Sequence, residues 1–329
     1  MPTFSPSDNA GEQRTVPGAN MENKRGELEV FICLRLILLF AISALAVITH
    51  VRNAAWNDDT ALWLDAINQR PLTARAHYNL GVAYHKKNML EKALREYVAT
   101  IQIGKDYTAQ ARVSLSALYI ENQRPDKAFQ ELQDAISLVP YFAPAYVNLG
   151  IVYQKQGALD KAVEEYLNAL ALEPNNPIAL YNLGLAYNEK GQVDKALEAF
   201  LSAIAGDPAY AEAFYGVGTV YLQKSLFNEA IDQFKYALKL KPEYPDAYNA
   251  IGTAYLEMGL FDRALEEFRR AQQMKPDSVE ANYNIGLAYW GKGQPTRAEE
   301  YFQIALALNP DFPEARSSLR DIRNNRSFQ

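Results

Sequence analysis

One spacing, 34 residues, recurs through most of this sequence. Proline returns at that interval, and a small residue, a tyrosine and an alanine return with it in registers of their own. The four series are Pro140, Pro174, Pro208, Pro242, Pro276, Pro310; Ser116, Gly150, Gly184, Gly218, Gly252, Gly286; Tyr119, Tyr153, Tyr187, Tyr221, Tyr255, Tyr289; and Ala128, Ala162, Ala196, Ala230, Ala264, Ala298. Because chance does not align four such series, the chain must fold as a succession of repeated units.

Each unit predicts two amphipathic helices, as the copy at 177–210 illustrates. Leu183 and Tyr187 recur at helical spacing in the first helix, which Gly191 should end in the left-handed conformation. Asp194 is expected to cap the second helix, and Pro208 to stop it. The ending position holds Asn88, Gln123, Gly157, Ser225, Gly259 and Gly293 in the other units, and the capping position holds Asp126, Asp160, Asn228, Asp262 and Thr296.

Small residues should allow the two helices of a unit to approach closely. Gly184 and Ala196 are expected to face each other across the hairpin, with Phe200 filling the space beyond them. Such a hairpin cannot bury its apolar face alone, so neighbouring units must stack on it. The sequence therefore predicts an all-α solenoid.

The small residue, tyrosine, alanine, aromatic and proline positions together resemble those of the tetratricopeptide repeat (TPR) family. The resemblance implies a right-handed solenoid of seven helix hairpins with capping helices, used as a scaffold for many different partners. The units are expected at 74–108, 109–142, 143–176, 177–210, 211–244, 245–278 and 279–312. The first is one residue longer than the others, with the additional residue near 104–108.

An apolar run precedes the repeats. Residues 1–29 are polar and are expected to form a disordered tail, whereas residues 30–49 are long enough for one transmembrane helix. A cleaved signal peptide, with cleavage near Ala46, is the alternative interpretation. Acidic residues among 22–29 disfavour cleavage, so we expect an uncleaved signal anchor.

Basic residues near the two ends of the span indicate its orientation. Arg14, Lys24 and Arg25 precede the span, and only Arg52 follows it closely. This asymmetry favours a cytoplasmic N-terminus and repeats in the periplasm or a lumen. Cleavage of a signal peptide would place the repeats on the same side.

Partial units flank the repeats. The stretch 50–73 is expected to contain a short linker and a capping second helix, with Asn57 as its N-cap and Trp63 at the aromatic position. Residues 313–329 are expected to form a first helix that caps the other end, followed by a short tail.

The stretch 52–81 also resembles the junction of glycosyltransferase-type membrane proteins that carry TPR units after their last span.

Composition and residue pairing exclude several functional classes. The net charge of −6 disfavours a nucleic-acid partner, and the single cysteine, Cys33, permits no intramolecular disulfide. The three histidines, His50, His77 and His85, have no partners at metal-binding spacing. We therefore expect no enzymatic activity, no catalytic residues, no metal, no cofactor and no small-molecule substrate.

The resemblance implies that the first helices line a concave groove, in which positions two, five, six, nine, twelve and thirteen of each unit are exposed. The expected partner-binding residues, from positions five and six, are Tyr78, Asn79, Asn148, Tyr181, Asn182, Tyr215, Tyr283 and Asn284. The asparagines are similar to the ladder in the TPR superhelix of O-linked N-acetylglucosamine transferase, interrupted at Ser114, Gly216 and Ala250. Asparagine is also frequent at this position in the family at large, which is the more common explanation.

Two functions remain open on this basis. The first is a membrane-anchored scaffold that binds extended segments of partner proteins in the groove, where an asparagine amide can both donate to and accept from a peptide backbone. The second is an accessory subunit that presents acceptor proteins to a separate membrane glycosyltransferase. Position five carries no lysine, so the carboxylate clamp of chaperone-binding TPR proteins is not matched.

Overall fold

A computed structural model describes residues 17–55, 58–104 and 106–326, with side chains for 31–50, 58–104 and 106–322. These residues form seventeen α-helices and no strand. The helices are α1 (Pro17–Ala55), α2 (Asp59–Gln69), α3 (Ala74–Lys86), α4 (Leu90–Ile103), α5 (Thr108–Glu121), α6 (Pro125–Leu138), α7 (Ala143–Lys155), α8 (Leu159–Leu172), α9 (Pro177–Glu189), α10 (Val193–Gly206), α11 (Ala211–Gln223), α12 (Phe227–Leu240), α13 (Pro245–Glu257), α14 (Phe261–Met274), α15 (Val279–Gly291), α16 (Pro295–Leu308) and α17 (Pro313–Arg326).

Helices α3–α16 pair as seven hairpins, and each hairpin packs on the next. This confirms the predicted all-α TPR solenoid. Its core repeats with the sequence, since each second helix buries an alanine near its start and a large side chain one turn later. The alanines are Ala93, Ala128, Ala162, Ala196, Ala230, Ala264 and Ala298, and the large side chains are Tyr97, Leu132, Tyr166, Phe200, Phe234, Phe268 and Phe302.

The small residue on the first helix directly faces this large side chain. A Cβ added at Gly184 would lie 2.6 Å from Cδ1 of Phe200, and one at Gly218 would lie 2.7 Å from Cδ1 of Phe234. No atom can occupy that space without moving the ring. The close approach of the two helices near Gly184 and Ala196 is therefore set by contact between Gly184 and the ring of Phe200.

The first helix of each hairpin ends where the sequence indicated. Gly157, Gly191, Gly259 and Gly293 have positive φ angles, and Asn88, Gln123 and Ser225 adopt the same left-handed conformation without being glycine. In every unit, the left-handed backbone conformation at this position ends the first helix, whichever residue occupies it.

The predicted N-caps of the second helices are wrong. Asp194 is the second residue of α10, whose N-cap is Gln192, and no side chain caps that helix. The other five expected caps are also second residues of their helices. An acid in the first turn interacts favourably with the helix dipole, so it is enriched near the start of a helix without being the cap. Asp194 instead accepts from Nζ of Lys224 in the next unit, at 2.6 Å.

The N-terminal helix begins earlier than expected. The predicted disordered tail at 1–29 is wrong for residues 17–29, which belong to α1, while residues 1–16 lie outside the described part of the chain. Adding residues to an existing helix needs no new nucleation, which explains the extension of the apolar span into polar sequence. Within α1, Phe31–His50 is long and apolar enough to cross a membrane, a property that signal sequences share.

Helix α2 packs on α3 as the N-terminal cap of the solenoid. Its N-cap is Asp58, which accepts from the backbone N–H of Thr60 at 3.1 Å. The predicted cap, Asn57, lies outside the described residues. The ammonium of Lys87 donates to Asp58 at 2.6 Å and lowers the pKa of that carboxyl group to about 2.

Helix α17 closes the other end. Ala315, Leu319 and Ile322 are buried against the last hairpin, as the sequence predicted, while Arg316 and Arg320 are exposed. The outward face of α17 is therefore polar where the stack has no further neighbour.

Candidate functional site

The predicted tyrosines at position five pack within the solenoid. Tyr181 lies between Phe200 of its own unit and Tyr210 at the end of that unit, with ring centroids 5.6 and 5.5 Å apart. Burial raises the pKa of Tyr181, and it raises that of Tyr215 to about 12. These phenols are therefore neutral at physiological pH, and the ring of Tyr181 packs against the second helix and the final residue of its own unit.

The same arrangement recurs in three other units. The ring pairs are Tyr78 with Tyr97 and Tyr107, Tyr215 with Phe234 and Tyr244, and Tyr283 with Phe302 and Phe312. All four tyrosines remain partly exposed. The sequence predicted these tyrosines as partner contacts alone and missed their structural role, which is to pack against other rings of the solenoid.

The predicted asparagines at position six bind neighbouring groups through their amide nitrogens. Nδ2 of Asn148 donates to the carbonyl oxygen of Val113 and to Oγ of Ser116, both at 3.3 Å. Nδ2 of Asn182 donates to the carbonyl oxygen of Ile178 at 2.8 Å.

Two further asparagines of the row lie at the ends of the solenoid. Nδ2 of Asn284 donates to Oδ1 of Asn249 at 3.1 Å, so these two side chains connect adjacent units directly. Asn79 makes no side-chain hydrogen bond within the described part of the chain. All four predicted asparagines are partly exposed, and none is sealed in the core.

A cavity of about 310 Å³ lies further along the same surface, between units five and seven. Its walls include Tyr215, Thr219, Asn249, Thr253 and Ser278. Sequence reasoning missed it, because the asparagine pattern points to position six, where Gly216 and Ala250 merely interrupt the row. The available signal was a small polar residue at both position five and position 34, a combination that unit six alone carries.

The charge at position two of the units changes along the solenoid. Position two carries Arg75 in the first unit but an acid in units five, six and seven and in α17. These acids are Glu212, Asp246, Glu280 and Glu314. Glu212 accepts from Nζ of Lys241 at 2.9 Å, and this hydrogen bond helps to lower the pKa of its carboxyl group although burial opposes the shift.

The described residues contain no group of three histidine, cysteine, aspartate or glutamate side chains placed to hold a metal ion. His77 contacts Glu96 at 2.7 Å and the carbonyl oxygen of Pro71 at 2.8 Å, so it connects α3 with α4 and with the preceding loop. Stacked helix hairpins with partly exposed polar side chains on their first helices define a helical-repeat scaffold suited to protein–protein interaction.

The family follows from the sequence match. The family model described as "Tetratricopeptide repeat" matches residues 60–107, 147–211 and 249–313, which is more than half of the chain, and one described as "TPR repeat" matches 218–259. The chain therefore belongs to the tetratricopeptide repeat family, whose members are generally non-catalytic scaffolds that bind proteins. A comparison with curated proteins gave no significant match.

Several solved structures share the fold. The APC/C hetero-tetramer Cut9-Hcn1 is similar with a TM-score of 0.69 and 19% identity over 80% of this chain and 52% of that chain. The chain thus spans about half of that relative. PilF of Pseudomonas aeruginosa is similar with a TM-score of 0.58 and 21% identity over 67% of this chain and 98% of that chain. PilW, a type IV pilus biogenesis factor, is similar with a TM-score of 0.59 and 21% identity over 65% of this chain and 100% of that chain. At these identities the similarity concerns the fold alone.

Proposed function

We propose that this protein is a membrane-anchored scaffold that binds an extended segment of a partner protein along the first helices of units three and four. The observation that carries the proposal is the hydrogen bonding of Asn148 and Asn182. Each uses Nδ2 inside the solenoid, and its Oδ1 accepts no hydrogen bond within the described part of the chain. A partner backbone N–H can therefore be accepted without breaking an existing contact.

A further polar group supports this location. Oδ1 of Asn188, at position twelve of unit four, is buried and has no hydrogen-bond partner in the described structure. An unsatisfied buried acceptor costs about 1–3 kcal/mol, so a donor from a bound segment or from water would stabilise the site. Tyr181 adds partly exposed apolar surface beside Asn182.

The apolar segment supports anchoring to a membrane. Phe31–His50 has no buried residue in its most apolar part, which fits a helix surrounded by lipid. The excess of basic residues before the span supports a cytoplasmic N-terminus and a groove in the periplasm or a lumen. In this arrangement the cap α2 follows the span directly, so the scaffold would lie close to the bilayer.

The test compares two groove changes with a matched change elsewhere. Asn148→Ala combined with Asn182→Ala removes both acceptors, whereas Asn168→Ala removes an exposed asparagine of α8 whose side chain donates to Glu165 on the same helix. Two lost hydrogen bonds should weaken binding by about 1–3 kcal/mol. We expect reduced recovery of crosslinked partners with the double variant alone, at a temperature at which circular dichroism shows every variant folded, because Asn148→Ala also removes the hydrogen bonds of its Nδ2 to Val113 and Ser116. Equal recovery from all variants would contradict groove binding.

The resemblance of residues 52–81 to glycosyltransferase-type junctions supports one alternative, an accessory subunit that presents acceptor proteins to a separate transferase. The two functions differ in what is crosslinked. The alternative predicts a polytopic transferase among the captured proteins, whereas a general scaffold predicts envelope proteins without one.

A further inference from the structure

Four units contain an aromatic pair that units two, three and six lack, and unit six is the one that carries a polar residue at both positions. Tyrosine at position five packs on an aromatic ring at the end of its unit in the pairs Tyr78–Tyr107, Tyr181–Tyr210, Tyr215–Tyr244 and Tyr283–Phe312. In unit six the corresponding residues are Asn249 and Ser278. Both rings are missing from that unit, and the cavity of about 310 Å³ includes both of these smaller residues in its lining.

The two threonine hydroxyls of the cavity present lone pairs, because their hydrogens are already used. The hydroxyl of Thr219 donates to the carbonyl oxygen of Gly216 at 2.7 Å, and that of Thr253 donates to the carbonyl oxygen of Asn249 at 3.0 Å. Each hydroxyl oxygen can still accept. The cavity therefore favours a ligand that donates hydrogen bonds.

Charge at the mouth of the cavity points in the same direction. Asp246 and Glu280 are both in the lining, and Asp246 has no ion-pair partner in the described structure. Glu280 interacts only with the hydroxyl of Ser278, at 3.3 Å. Lys275 is the single cation in the lining, so the local charge is negative.

The preceding unit shows how this surface holds a cation. Nζ of Lys241 donates to Glu212 at 2.9 Å and lies 4.6 Å from the ring centroid of Tyr244. In unit six Asp246 occupies the position of Glu212 and Lys275 that of Lys241, but the described structure contains no ion pair between Asp246 and Lys275. The ring of Tyr215 forms part of the cavity wall and offers an aromatic surface to a cation.

From this geometry we propose that the cavity at Asn249 and Ser278 binds a basic side chain, best matched by arginine, from the extended partner segment. The inference rests on the proposed function, because the segment must lie in the groove for its side chain to reach the cavity. A guanidinium group has five donors and no acceptor, which suits the lone pairs of Thr219 and Thr253 and the carboxylate of Asp246. It also stacks on aromatic rings such as that of Tyr215.

The test fills the cavity with the pair of rings that neighbouring units carry. Short random peptides on phage are selected against the full chain in detergent and against a variant with Asn249→Tyr and Ser278→Tyr. The variant copies the Tyr215–Tyr244 pair, so it should fold, and circular dichroism checks this. We expect arginine or lysine to be enriched at one peptide position with the wild-type chain, and the filled variant to bind peptides without that preference.

A second variant removes charge and leaves the space. Asp246→Asn with Glu280→Gln should weaken binding of a selected basic peptide about tenfold or more, and should not weaken binding of the same peptide with glutamine in place of the basic residue. Basic enrichment that persists in the filled variant, or equal affinities for the charge variant and the wild type, would overturn this inference and leave groove binding intact. Failure to select any peptide would contradict groove binding and this inference together.

Discussion

The contact between glycine and ring in each hairpin makes a quantitative prediction for Gly184. A Cβ at this position would lie 2.6 Å from Cδ1 and Cε1 of Phe200, whose ring is fully buried and has no room to withdraw. Overpacking of this kind costs about 1–3 kcal/mol, and replacing glycine by serine within a helix recovers about 0.5 kcal/mol. Gly184→Ser should therefore lower the free energy of unfolding by about 0.5–2.5 kcal/mol.

Unit two shows how the contact can be relieved. Ser116 takes the place of the glycine there, and the facing residue is Leu132 instead of an aromatic ring. The hydroxyl of Ser116 donates to the carbonyl oxygen of Val113 at 2.7 Å, so a buried serine is satisfied within its own helix. Gly184→Ser combined with Phe200→Leu copies this pair. We expect the double variant to be more stable than the sum of the single effects indicates, by about 1 kcal/mol or more.

Urea unfolding of the full chain in detergent, followed by circular dichroism, measures all four corners of this cycle. Gly191→Ala serves as the control, because its cost comes from a φ of +70° with no atom within 4 Å of the added Cβ. Its effect should add to that of Phe200→Leu without coupling. Strict additivity of Gly184→Ser and Phe200→Leu would refute the packing argument.

Three further predictions concern charge, pH and topology. Lys224→Ala removes the pair with Asp194, whose side chain is 88% exposed, so the free energy of unfolding should change by less than about 1 kcal/mol in urea titrations. Burial raises the pKa of Tyr97 and Tyr215 from 10.0 to about 12. Their contribution to stability is therefore complete below pH 10 and is lost as the pH rises towards 12, and urea titrations across that range should show the free energy of unfolding fall. Alkaline phosphatase fused to the C-terminus should be active, and activity only of a cytoplasmic reporter there would contradict the proposed orientation.

The 34-residue period was enough to predict the hairpins, because buried positions repeat at the same place in every unit. It could not separate the N-cap from the first turn, since Asp194 at the second helical position fits either role by composition. It also could not show that Tyr181 packs on Phe200 and Tyr210, because a partly exposed tyrosine has the same pattern whether it contacts a partner or other rings of its own unit.

The cavity of unit six was missed for a different reason. Asn249 is a polar residue at a groove position, which by itself indicates a partner contact and not an empty space. The cavity lining also includes Ser278, distant in sequence, where five other units carry a tyrosine or phenylalanine. The missing pair is visible in the amino-acid sequence only when both positions are compared together across the units.

The central claim, that a partner segment lies along the first helices, is tested most directly by photo-crosslinking in living cells. A benzophenone amino acid replaces Asn182 in one strain and Asn168 in another, so the same probe is placed on a groove helix and on a second helix. The account predicts a crosslinked partner from position 182 and none from position 168. Equal crosslinking at the two positions, or crosslinking from 168 alone, would contradict it.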